Sequence, residues 1–220
     1  MASGTVSRNE AGRQLSSGPL VFPLLMTDRA LIETFTRAVL AEAPSALIPH
    51  FFAHDIAPPI FRWNPQIGTL VEAPLKVLFR WWRSQRVDGS IPSVDAVDPL
   101  ALKEALGYLM ILDVLEDGWD FRYRLYGSEI AQHAKRDYTG QRTSELKVVS
   151  PIPTFYIACY RAVLVRPEPL MTRNQPPTDV ATTTWTRLVL PLKGADGKIA
   201  RFLVGNVPGT WRQPREAGSA

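Results

Sequence analysis

Few residues in this 220-residue chain have types and spacing that could do chemistry, and they begin with three histidines and one cysteine. His50 and His54 stand four apart with Asp55 beside them, a spacing that would put two imidazoles on one helical face for a metal ion. Pro49, Pro58 and Pro59 crowd the same stretch and oppose a regular helix, so these read as scattered polar residues and no metal is expected. Cys159 sits between Ala158 and Tyr160, on a stripe of small residues with Ala162, and reads as a buried structural thiol. No His and Asp/Asn pattern accompanies it to make a nucleophile. Asp113, Glu116, Asp117 and Asp120 surround a turn and read as solvated rather than as a paired acid and base. There is no phosphate loop, nucleophile elbow or dinucleotide fingerprint. The sequence therefore offers no catalytic residue.

The elements that must position these groups are clearer. Tyr108–Leu115 is an apolar run, Glu116-Asp117-Gly118 a turn, and Phe121, Tyr123 and Leu125 then alternate with Arg122, Arg124 and Tyr126. That is a β-hairpin with a period-2 second strand. Gly127-Ser128 ends it and offers Ser128 as the N-cap of a helix over Ser128–Ala134. Short helical pieces there and at Thr143–Leu146 precede a longer helix from about Thr154 to Val165. Strands follow over Glu168–Arg173, Thr182–Leu192 and Ile199–Val207, the last two joined by the turn Gly194-Ala195-Asp196-Gly197. Upstream, Asp28 can cap a helix reaching Glu42. Glu72–Arg86 carries Leu75, Leu78, Phe79 and Trp82 at helical spacing, and Asp98-Pro99 opens a short helix closed by Gly107. Strands joined by tight turns pair antiparallel, and the helices between the second and third of them must cover one face.

A net charge of +4 is spread without a basic run of five, so no nucleic-acid partner is expected. One cysteine excludes an internal disulfide and a cysteine zinc site. The first residues carry no apolar signal core, and Pro19–Met26 is too short to span a bilayer, so the expectation is a soluble cytoplasmic protein with no membrane partner. Residues 1–18 and 209–220 read as flexible tails, 19–71 as a helical and irregular extension, and 72–208 as the main domain.

Residues Leu78 through Arg83, Ile91-Pro92, Asp98-Pro99, the FRYRLYG strand (Phe121–Gly127), Asp137 with Thr139-Gly140, Tyr160-Arg161 and Leu190-Pro191-Leu192 together resemble a stand-alone PAS domain of a bacterial subfamily. The resemblance covers about residues 72–208. It implies an α+β fold: a five-stranded antiparallel sheet with helices on one face enclosing a small cavity. It also implies a sensor that binds a small ligand or forms a homodimer and signals to a separate partner. Parallel strands, or helices on both faces, would make the assignment wrong. The ligand-lining residues it points to are Tyr123, Leu125, His133, Tyr156, Cys159, Tyr160, Leu188 and Leu190. The cofactor is unknown: haem-binding relatives carry their His in the long helix, which here has none, and the flavin-binding Asn-Cys-Arg-Phe motif does not surround Cys159. Dimerisation would use a second apolar side of the Glu72–Arg86 helix, which carries Trp81 and Trp82. Two other readings of the fold remain: an interaction module with a filled core, and a small cone-shaped isomerase- or dehydratase-like enzyme using Tyr123, His133 or an aspartate.

Overall fold

The computed structural model describes Met1 and residues 28–148, 151–176 and 180–211; the tails expected over 1–18 and 209–220 lie almost wholly outside them. Asp28 caps the first helix, α1 (Arg29–Leu40), its Oδ1 accepting from the Ala30 and Leu31 amides at 2.9 and 3.4 Å. Next come α2 (Ile48–Phe52), β1 (Ile60–Trp63), α3 (Ala73–Ser84), β2 (Leu109–Leu115), β3 (Asp120–Tyr126) and α4 (Ser128–Ala134). The chain closes with α5 (Ile152–Val165), β4 (Leu170–Asn174), β5 (Trp185–Lys193) and β6 (Ile199–Pro208). His54 falls beyond the end of α2, so the two histidines four apart do not share a helix, and His50 packs edge-on against Phe35.

All strands pair antiparallel in the order β1-β4-β5-β6-β2-β3, as tight turns require. The sheet has six strands rather than the expected five. The extra strand comes from the proline-rich segment, where Phe61 and Trp63 turn inward and Trp63 donates from Nε1 to the Val39 carbonyl at 3.0 Å. This aromatic pair ties α1 and β1 to the rest of the core.

Helices cover both faces, which corrects the expectation of one. On the inner face, α1 and α5 pack over Leu112, Phe121, Val189, Phe202 and Val204. On the outer face, α3 lays Leu75, Leu78, Phe79 and Trp82 against Leu188, Leu190, Leu192 and Leu203. The helices between β3 and β4 do lie on one side, as reasoned; the outer helix lies between β1 and β2 in sequence. Trp81 and Trp82 are both buried within the chain.

Glycines stand at two close approaches, where β6 meets α3 and where β3 meets α4. A Cβ on Gly205 would fall 2.5 Å from Leu75 Cδ2, and one on Gly127 would fall 2.3 Å from the Gly107 carbonyl oxygen. Gly127, not Ser128, is the N-cap residue of α4, and no side chain caps that helix. Leucine tips can move; a backbone carbonyl cannot. Gly127→Ala is therefore expected to cost about 1–3 kcal/mol through backbone displacement, read as a lower urea midpoint at unchanged slope.

The turn carboxylates are not all solvated. Asp120 is buried: its Oδ1 accepts from the Phe121 and Ser144 amides and its Oδ2 from Ser144 Oγ at 2.6 Å, fastening the 143–145 turn to β3. Asp113 Oδ1 accepts from Arg124 Nε at 3.0 Å and Arg201 Nε at 2.9 Å. Burial pushes the Asp113 carboxyl up, but the hydrogen bonds and charges of Arg124 and Arg201 outweigh it and hold it below the ordinary carboxylate range. A depressed folded pKa contributes stability above the unfolded value of about 3.9, and that stability is lost as pH falls through the folded pKa. The stability gap between wild type and Asp113→Asn is accordingly expected to be steady above about pH 5 and to close below about pH 4, measured as urea midpoints across pH. The gap is small, because Arg124 is half exposed.

Candidate functional site

A β-bulge builds the site. Pairing between β2 and β3 shifts register between Ile111 and Leu112, so Met110 faces Tyr126 while Leu112 faces Tyr123. The shift breaks the period-2 alternation. Tyr123 and Tyr126, three apart, both turn to the inner face, and Leu125 turns outward to pack with the α3 cluster.

Between this edge of the sheet, α4, the residues leading into α5, and the β4–β5 connection lies a cavity of about 230 Å³. Tyr123, Tyr126, Tyr138 and Tyr156 line it with Trp185, Ile152 and Val180; Lys135 and Lys147 stand exposed at its rim. A larger cleft of about 470 Å³ lies outside, beside α3, around Asn64, Gln66, Arg83 and Arg86. That cleft is a surface groove without buried polar groups, and Arg86 there is spent on Ser90 and Trp82. The smaller, inner cavity is the one with chemistry.

Its floor is a polar row crossing the sheet. In register, Thr172 of β4 faces Arg187 of β5, and Arg187 faces Asn206 of β6. Arg187 is only 3% exposed, and its guanidinium carbon sits over the Tyr156 ring, 3.6 Å from the centroid. Its Nε and Nη1 have no hydrogen-bond partner among the described residues, and neither do Thr172 Oγ1, Asn206 Oδ1, Asn174 Oδ1 or Tyr160 Oη. Asn174 donates from Nδ2 to Tyr156 Oη at 3.3 Å and so orients that ring. Buried polar groups are normally paired, so the orphan atoms of Arg187 and Asn206 in the cavity lining mark a place where something else supplies partners. Burial opposes the charge of Arg187, and the guanidinium keeps it nonetheless. Burial pushes the Tyr160 hydroxyl up to about 12 and the Tyr123 and Tyr126 hydroxyls well above 10. These phenols are neutral hydrogen-bonding groups at neutral pH, outside the range useful for proton transfer.

The residues expected to line a pocket are thus divided. Tyr123 and Tyr156 do line the cavity. Tyr160 and Cys159 lie on α5 in the inner core; the Tyr160 hydroxyl is among the orphans, and burial pushes the Cys159 thiol up, so it stays protonated. His133 is buried on α4, its Nδ1 2.8 Å from the Glu129 carbonyl and its face stacked on Trp211 at 4.1 Å, outside the cavity lining. Leu125, Leu188 and Leu190 are on the opposite face, beneath α3. The sequence reading missed Tyr126, Arg187 and Asn206. The available signal was a lone arginine inside WTRLVLPL, an otherwise apolar strand. Among the described residues no group of three potential metal ligands occurs, and no helix is long and apolar enough to cross a membrane.

An antiparallel sheet whose helix-covered face encloses a small, polar-floored cavity defines a compact α+β module of the kind the sequence resembled. A family model described as PAS domain matches residues 71–206, more than half of the chain, and the chain belongs to the PAS domain family. The assignment holds with helices on both faces, because the matched region includes the outer helix α3. No curated protein and no solved structure matches the chain. PAS domains are in general sensory and regulatory modules, and family membership gives this chain that general role.

Proposed function

We propose that this protein is a sensor whose signal is a small molecule held in the inner-face cavity and passed on to a separate partner protein. The observation that carries the reading is the coincidence of a cavity with buried, unpartnered polar atoms of Arg187 and Asn206 in its lining. A filled core would have no need of them, and each costs about 1–3 kcal/mol while unmade. The volume of about 230 Å³ is below the roughly 300–1,000 Å³ of drug-sized sites, which suits a metabolite. Much of the cavity's cover is irregular chain: Leu146, Lys147 and Val148 before α5, and Pro176 and Val180 between β4 and β5. A ligand touching both segments favours one packing of them, which is the population shift a sensor needs.

Native mass spectrometry and an absorbance spectrum of freshly purified protein, followed by thermal denaturation against a metabolite panel, test this. The expected result is a retained small molecule, or a saturable rise in Tm that is absent in Ala134→Phe, which fills the cavity from α4. A protein with no bound mass and a Tm indifferent to every compound would sink the reading.

A further inference from the structure

Resting on that reading, we infer that the ligand is a small organic acid, its carboxylate held by Arg187. The argument begins with charge. Among the described residues, the cavity lining carries Arg187, Lys135 and Lys147 and no aspartate or glutamate. No described residue forms an ion pair with Arg187 or accepts a hydrogen bond from it. A buried guanidinium always carries its charge, and burying a charge without a partner is among the most expensive things a fold can do. The Tyr156 face beneath it gives only partial relief, because a cation–π contact leaves the N–H groups in the guanidinium plane unsatisfied. What completes the site is an anion in that plane.

The chemistry of the surroundings narrows the anion. A guanidinium fork matches the two oxygens of a carboxylate. The rest of the cavity is apolar or aromatic: Leu146, Val148, Ile152, Val180 and Trp185. Such walls reward a hydrocarbon or aromatic body and disfavour a fully hydrated inorganic ion, which would leave them wet. Phenolic hydroxyls held neutral by burial, such as those of Tyr123 and Tyr126, can donate to a carboxylate without repelling it. The exposed lysines at the rim add a field that draws anions inward.

The test follows the Arg187 Nε–H resonance in ¹⁵N-labelled full-length protein, assigned by its disappearance in Arg187→Lys and Arg187→Met. Acetate, isovalerate and benzoate are titrated at neutral pH beside acetamide, isovaleramide and benzamide, with inorganic phosphate as a separate arm. The expected result is a saturable shift with at least one carboxylate, and an affinity at least roughly 100-fold weaker for its amide, since discrimination of that order follows when a buried polar partner is lost. Response to phosphate alone, or equal response to acids and amides, would overturn the inference; equal binding by amides would leave the small-ligand reading standing. No response from Arg187 to any probe, together with the unresponsive Tm described above, would remove both. The wild-type resonance decides the matter even if Arg187→Met does not fold.

Discussion

Trp82→Ala is expected to lower the unfolding free energy by about 3–5 kcal/mol, the range for truncating a fully buried large aromatic. Trp82 is 1% exposed, and its Nε1 donates to the Pro191 carbonyl at 2.8 Å, so it is both the filler and the polar latch between α3 and β5. Little can collapse into the space it leaves, because Leu188, Leu190, Leu192 and Leu203 are fixed on the sheet beneath it. Trp82→Phe separates the two contributions. It keeps most of the ring and loses the hydrogen bond, so its cost should include about 0.5–1.5 kcal/mol for the bond and remain well below that of the alanine variant. Urea unfolding of the three proteins, followed by both far-ultraviolet circular dichroism and tryptophan fluorescence, checks the order. Equal losses in the two variants would mean that the latch, not the packing, holds α3. If α3 alone detached, the two probes would separate and the transition would cease to be two-state.

That outer cover explains where the sequence could and could not be read. Element identity was legible because it depends on local signals. Asp28 caps α1, Asp-Gly turns the β2–β3 hairpin, and Gly197 turns β5 into β6 with φ of +79°. Facing was not legible for β5. Its residues Trp185 to Leu192 are buried on both sides, so alternation contains no polar side to mark the solvent. Leu188 and Leu190 are on the face under α3, whereas the cavity face is the one bearing Arg187. Leu125 was misplaced for a different reason. The bulge inserts Arg124 of β3 opposite the Ile111–Leu112 step, and nothing in the alternating residues Phe121–Tyr126 marks it. The sixth strand was hidden because IFRW is four residues among prolines, too short for any period to declare itself. The candidate site therefore emerges only when the register brings Thr172, Arg187 and Asn206, which are distant in sequence, into one row.

Arg187→Met is expected to stabilise the ligand-free protein by about 1–3 kcal/mol, a gain in the range seen when buried ionic groups give way to apolar ones of similar length. The sign depends on two opposing contributions. Removing the guanidinium removes the cost of holding a charge, and the unpartnered Nε and Nη1, away from water. It also forfeits the cation–π contact with Tyr156, about 2 kcal/mol when desolvated, although the methionine thioether recovers part of that against the same ring. The first exceeds the second because no carboxylate answers the charge among the described residues. A saturating anion reverses the comparison. At a hundred times its Kd it stabilises wild type by about 2.7 kcal/mol, while the variant gains nothing, so the two melting temperatures should cross as the carboxylate of the titration above is added. Thermal denaturation of both proteins, with and without that compound, reads this directly. A methionine variant less stable than wild type without ligand would show Arg187 to be a structural cation with partners of its own. A variant more stable at every concentration would show a strained site that the anion does not relieve. Crossing is the outcome that ties the instability of the empty site to its use, because only then is the residue that weakens the fold the one that reports the ligand.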